Sequence, residues 1–300
     1  MISRRRGRYV QLLGAVCLAS ACASSAFSAV NDVLPADYFP LATGSSTLAV
    51  YAYDRQASGY YARGQKEAEG HLDTRILALR AGHFFEIAGQ SVSMVAVLPW
   101  AQADSEPEAL AAKFGQRASG LGDLRLGATG WLVSDRNSGQ YLGVTALVSL
   151  PTGHYERKQM LNIGENRHKA TLSLGWIQPL NPSLNLDLTP EVAWFGANLD
   201  YLNGNRLTQK LSYALTGYLR YRATPNWQFH VGGQLNYGGE NRINGVDQQN
   251  PPDNSRAMVG ATFLSNDRQH QWVIRLAQDT QIKNGFKAET ELLLRYLRMF

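Results

Sequence analysis

Apolar and polar residues alternate with a period of two along most of the chain beyond residue 45. Leu184, Leu186 and Leu188 alternate with Asn185, Asp187 and Thr189. Leu124, Leu126 and Ala128 alternate with Arg125, Gly127 and Thr129. Ala170, Leu172, Leu174 and Trp176 alternate with Lys169, Thr171, Ser173 and Gly175. Phe229, Val231, Leu235 and Tyr237 alternate with His230, Gln234 and Asn236. In an extended strand successive side chains point to opposite faces, so this spacing predicts strands with one apolar and one polar face.

Twelve such segments are predicted, at 46–57, 72–84, 91–101, 121–133, 140–152, 167–178, 184–197, 207–222, 226–239, 255–265, 270–281 and 286–300. Strands of soluble proteins run ~5–6 residues. A strand crossing a bilayer needs about 9–11, which the predicted segments reach. The connections alternate in length. Long ones fall near 58–71, 102–120, 153–166, 198–206 and 240–254. Short ones near 85–90, 134–139, 179–183, 223–225 and 266–269 carry turn residues such as Asn181-Pro182 and Thr224-Pro225-Asn226. Long outer loops alternating with tight periplasmic turns are the layout of an outer-membrane barrel. The expected fold is an all-β transmembrane antiparallel β-barrel of about 12 strands, with ten or fourteen as the alternatives. A soluble β-sandwich would instead keep its outward faces polar. One segment breaks the pattern. Ser105, Glu106, Pro107 and Glu108 precede an apolar run at 109–114, and the capping-box spacing predicts a short helix in an outer loop.

Residues 1–29 read as a cleaved secretory signal peptide. Arg4, Arg5, Arg6 and Arg8 precede an apolar run at 9–23 and then small residues. The run is short of the ~20 residues of a spanning helix. Both cysteines, Cys17 and Cys22, lie here, so the mature chain carries no thiol chemistry. Cys22 follows a loose lipoprotein-like context, and ordinary cleavage is the preferred reading. Residues 30–45 are expected to form an N-terminal periplasmic segment ahead of a barrel at 46–300. Without the four signal arginines, 25 Lys and Arg face 24 Asp and Glu. The basic balance therefore belongs to the leader and gives no reason to expect a nucleic-acid partner.

A charge facing lipid at the midplane costs ~2–4 kcal/mol, so charged alternate positions are expected to face the lumen. These are Arg125, Lys169, Asp187, Glu191, Lys210, Arg220, Arg222, Arg275, Asp279, Glu289, Glu291 and Arg295. They would either select a solute or pair to fill a narrow barrel. Trp100, Trp227, Trp272 and the terminal Phe300 are expected at the membrane interfaces, where aromatic girdles form. Phe300 also resembles the aromatic ending read by the barrel-assembly machinery. The six histidines show no metal-ligand spacing, and there is no Gly-x-Ser-x-Gly elbow or phosphate-binding glycine loop. No cofactor, metal or enzyme activity is expected.

Four stretches resemble an outer-membrane transporter family named for the MetA-type meta-pathway of phenol degradation. They are Gly120-Leu121-Gly122-Asp123-Leu124, Leu150-Pro151-Thr152-Gly153, Asn162-Ile163-Gly164-Glu165-Asn166-Arg167 and Thr189-Pro190-Glu191-Val192-Ala193-Trp194. The resemblance spans roughly residues 45–300 and implies a barrel that takes up small hydrophobic or aromatic compounds. It supplies no catalytic or binding residue. The expected function is passive uptake across the bacterial outer membrane, with outer-membrane lipid and the solute as partners. A non-transporting structural or surface-interaction barrel is the alternative, and an outer-membrane hydrolase stands behind it.

Overall fold

The structure is a computed structural model that describes residues 32–106 and 116–300. The leader and its two cysteines, and the helix expected over 109–114, lie outside the described residues. Ser105, expected to cap that helix, is instead a strand residue.

In chain order the strands are β1 (Ser46–Ala62), β2 (Gln65–Ile87), β3 (Gln90–Glu106), β4 (Arg117–Leu121), β5 (Arg125–Asp135), β6 (Gln140–Ser149), β7 (Lys169–Asn181), β8 (Leu184–Phe195), β9 (Asn198–Tyr201), β10 (Asn205–Gln209), β11 (Ser212–Arg222), β12 (Trp227–Gly238), β13 (Asn241–Ile243), β14 (Val246–Asp247), β15 (Asn254–Leu264), β16 (His270–Ile282) and β17 (Gly285–Met299). Each wall strand pairs antiparallel with its neighbours, and β17 returns to pair with β1. Closure removes the free edges, as a lipid-embedded sheet requires. Counting β4 and β5 as one strand interrupted at residues 122–124, the wall has 12 strands.

The alternation sorts the two faces as expected. Leu77, Leu79, Leu126, Leu172, Leu174, Leu219, Val231, Val259, Ile274 and Leu294 are exposed on the outside and form a lipid-facing band. The positions between them are buried or half-buried on the inner face.

Three departures have physical reasons. The expected loop at 58–71 is a tight turn, because β1 and β2 pair out to Ala62 and Gln65. Arg63 and Gly64 form that turn with φ of 53° and 80°. The expected strand over 207–222 splits. Its first part, β10, pairs with β9 and β13 in a four-stranded sheet outside the wall that also contains β14. The expected loop at 102–120 is shorter, since Trp100 to Asp104 pair with Leu121 to Arg117.

Candidate functional site: the barrel lumen

Residues 32–38, expected on the periplasmic side, instead lie inside the barrel. The segment is held at both polar and apolar points. Leu34 is 1 % exposed and packs against Ala49, Tyr51, Val273 and Leu293 on the inner wall. Tyr38 joins Trp131, Tyr141 and Ile177. Its ring fills the space where Gly175 has no side chain, for a Cβ there would fall 2.0 Å from the ring. The Trp131 indole N–H donates to the Tyr38 carbonyl at 2.8 Å. The Tyr218 hydroxyl donates to the Val33 carbonyl at 3.2 Å. The Ala36 amide donates to Asp187 at 2.8 Å.

The reason for this placement is electrostatic. The inner wall carries arginines that need buried counter-charges. Asp32 accepts from Arg275 at 2.6 and 2.9 Å. Asp37 accepts from Arg295 at 2.7 Å and stands 3.6 Å from Arg80. The wall supplies the remaining partners. Glu291 receives Arg275 at 2.7 Å, Arg256 at 3.2 Å and Arg55, its cross-strand neighbour at the β1–β17 seam. Asp279 accepts from Arg256 at 3.1 Å and from the Ala288 amide at 2.9 Å. Arg220 and Asp187 form a two-bonded pair at 2.7 and 2.9 Å.

The residues singled out from the sequence divide into four groups. Lys169, Asp187, Glu191, Arg220 and Arg275 are buried on the inner face, and Arg125 is half-buried there. Arg222 has the same strand parity but is exposed at the last position of β11, bonded to the Pro182 carbonyl in the adjoining turn. It belongs to the periplasmic rim. Lys210 lies just past β10, in the connection to β11, against Glu240 and Asp247. Glu289 is exposed and bonds to Ser58 because the β1–β17 register shifts between Gln56 and Ala57, a bulge that moves one residue across the wall. Sequence counting carries period two straight through such a bulge.

The aromatic positions are exposed on the outer surface. Trp227, Trp272 and Phe300 lie beside the turns at one end of the wall, and Trp100 lies within β3. Trp227, Phe263, Trp272 and Tyr296 form a continuous chain of rings with centroids 4.9, 5.6 and 5.5 Å apart.

Between the N-terminal segment and the outer mouth lies a cavity of about 170 Å³. Its walls differ. Ile76, Ala78, Val95, Val97, Pro99, Ala101 and Leu147 make one apolar side, and Arg55, Arg80, Arg125 and Arg256 bring charge to the rest. Asp32, Val33, Asp37 and Tyr38 form the floor. The roof comes from the loop at 150–168, which contains the outer loop expected at 153–166. Met160 and Leu161 are buried against Ala57, Tyr60, Leu72, Ala103 and Phe286 at the mouth. Asp123 pins that loop by accepting from the Gly153 and Glu165 amides, both at 2.9 Å. Three backbone segments stack there, since a Cβ on Gly153 or Gly164 would fall 2.7 or 2.8 Å from a neighbouring backbone carbon. Thus all three glycine-containing motifs shape the roof. Among the described residues no group of His, Cys, Asp and Glu is arranged to hold a metal.

A family model described as "Putative MetA-pathway of phenol degradation" matches residues 51–291. No curated protein matches the sequence. Among solved structures, an outer membrane channel from Pseudomonas putida F1 superposes with a TM-score of 0.84 at 29% identity, covering 90% of this chain and 100% of that one. The β domain of the Bordetella autotransporter BrkA aligns at 0.53 and 11% identity, covering 86% of this chain and 100% of that one. The transport unit of the Escherichia coli autotransporter AIDA-I aligns at 0.52 and 10% identity, covering 98% of each chain. The last two share the outer-membrane barrel fold alone.

Proposed function

The chain belongs to the MetA-pathway phenol-degradation family, and from that premise we propose that it is an outer-membrane channel for passive uptake of small hydrophobic or aromatic compounds. The observation that carries this reading is the cavity. Its volume of about 170 Å³ is close to the ~150 Å³ known to hold a benzene-sized ligand. An oligosaccharide would not fit. The apolar wall from Ile76 to Leu147 offers a ring a dry surface, while the charged side stays wetted or paired. The Pseudomonas relative is itself described as a channel, which supports the same class.

Lys169, Asp187, Glu191, Arg125, Arg220 and Arg275 are proposed as the lumen lining, with Arg222 assigned to the periplasmic rim. Trp100, Trp227, Trp272 and Phe300 are proposed to meet the lipid interface. Phe300 is the feature that supports engagement by the barrel-assembly machinery. Residues 1–29 are proposed to be removed on export. The reading needs no catalytic step, cofactor or metal.

The test is accumulation of a radiolabelled monoaromatic by liposomes carrying the refolded barrel. Uptake faster than in protein-free liposomes is expected. Equal rates, with the barrel shown folded by its heat-modifiable gel mobility, would favour the non-transporting barrel.

A further inference from the structure

One cross-strand row of the inner wall carries two cations that make no direct ion pair among the described residues. Val97 on β3 opposes Arg125 on β5, Arg125 opposes Ser149 on β6, and Ser149 opposes Lys169 on β7. Neighbouring strands lie about 4.7–4.9 Å apart, so the two cations stand roughly 9–10 Å apart at Cα with the small Ser149 between them. Arg125 and Ser149 line the cavity. Lys169 is 7% exposed. Among the described residues neither cation makes a hydrogen bond or ion pair, in contrast to Arg55, Arg220, Arg256, Arg275 and Arg295. Lys169 has the Phe195 ring 5.3 Å away on its other side.

The acids nearby are held by other groups. Glu165 takes both bonds of Arg167 at 2.7 and 2.9 Å, and Glu191 accepts from Ser173 at 2.8 Å. Asp123 is committed to the two amides of the roof. A buried cation with no direct partner, as Lys169 is, is costly, and on the two strands before it Ser149 and the half-buried Arg125 face the cavity. Beside them stand Val97, Pro99, Leu147 and Ile163, which are apolar.

We propose that Arg125, Ser149 and Lys169 form an anion subsite in the lumen, and that the preferred solute is a hydrophobic monocarboxylate, such as an aromatic acid with one ring. The carboxylate takes the Arg125, Ser149 and Lys169 donors, and the ring lies on the Val97–Leu147 side. This deepens the channel reading and rests on it for the solute's route, though not for binding.

The experiment is calorimetric titration of the full barrel in detergent with benzoate and, in parallel, benzyl alcohol. Wild type binds benzoate at least ten-fold more tightly than benzyl alcohol. A hydrogen bond to a charged group contributes about 1.5–3 kcal/mol, so Arg125→Gln and Lys169→Gln each weaken benzoate roughly ten-fold or more and change the uncharged benzyl alcohol by a clearly smaller factor. Equal affinity for both probes, or benzoate affinity unchanged in both variants, overturns the subsite. Liposome uptake separates the two claims. Uptake of benzyl alcohol without benzoate binding leaves the channel and removes the subsite. Benzoate binding without uptake of either compound keeps the subsite and removes the channel.

Discussion

Asp32 and Arg275 are 243 positions apart in the chain and are joined inside the barrel by two hydrogen bonds, 2.6 and 2.9 Å long. Arg275 is 0% exposed and also holds Glu291 at 2.7 Å. The pair therefore ties the N-terminal segment to the same hub that closes the β1–β17 seam. A channel with this arrangement has its floor attached by charge rather than by chain connectivity alone.

Replacing Asp32 tests that attachment. Breaking a buried pair costs about 3–5 kcal/mol, and the 26% exposure of Asp32 puts the expected loss at the low end. Asp32→Ala should lower the thermal midpoint of the refolded barrel. It should also raise conductance or its flicker, because residues 32–38 lose a mooring. An unchanged midpoint and unchanged conductance would show that the segment is held without this pair.

The Tyr38 slot gives a steric test. Gly175→Ala would place a methyl 2.0 Å from the Tyr38 ring, so the ring must leave. Gly130→Ala meets nothing within 4 Å and serves as the control. The expected outcome is a larger conductance for the first variant and wild-type behaviour for the second. Wild-type conductance in both would mean that Tyr38 does not limit the floor.

Asp123 gives a graded test of the roof. Asp123→Asn keeps one acceptor oxygen for the Gly153 and Glu165 amides, and Asp123→Ala keeps none. Trypsin cleavage after the exposed Arg157 or Lys158 should quicken from wild type to Asn to Ala. Equal cleavage rates in all three would show that the loop is pinned by its apolar contacts at Met160 and Leu161 instead.

The outer sheet supplies a pH prediction. Arg242 and Lys210 hold the Asp247 carboxyl down to about 2, below its ordinary value of ~3.9. A depressed carboxylate stabilises the fold above the unfolded value, and that contribution is lost as pH falls through the folded one. Amide-exchange protection of residues 241–247 should hold from pH 7 to about 4 and fall between there and about 2. Asp247→Asn should remove the dependence in that window. Persistence of the same dependence in the variant would assign it to another group.

The wall was legible because lipid and lumen impose opposite demands on alternate residues. Leu184, Leu186 and Leu188 could face only lipid if Asp187 was to avoid it. What could not be read was anything that breaks the period or crosses the chain. The bulge beside Ala288 moves Glu289 outward while leaving Glu291 inside. Arg222 keeps the inward parity but runs past the wall into the rim. The floor could not be read because Asp32 and Asp37 stand in a short aperiodic stretch, with the arginines that donate to them more than 200 positions away. The cations gathered on predicted inward faces were the one available hint that carboxylates had to arrive from elsewhere. The roof was missed for a similar reason: Asp123 acts on backbone amides, and its partners follow from the fold rather than from any spacing.

The most direct measurement is single-channel recording of the refolded barrel in planar bilayers, first in salt alone and then with phenol or toluene added. A channel of this kind gives discrete conductance steps that an aromatic solute reduces as it occupies the cavity beside Val97 and Leu147. A folded barrel that gives no steps, and whose liposomes accumulate a labelled aromatic no faster than protein-free ones, would contradict it.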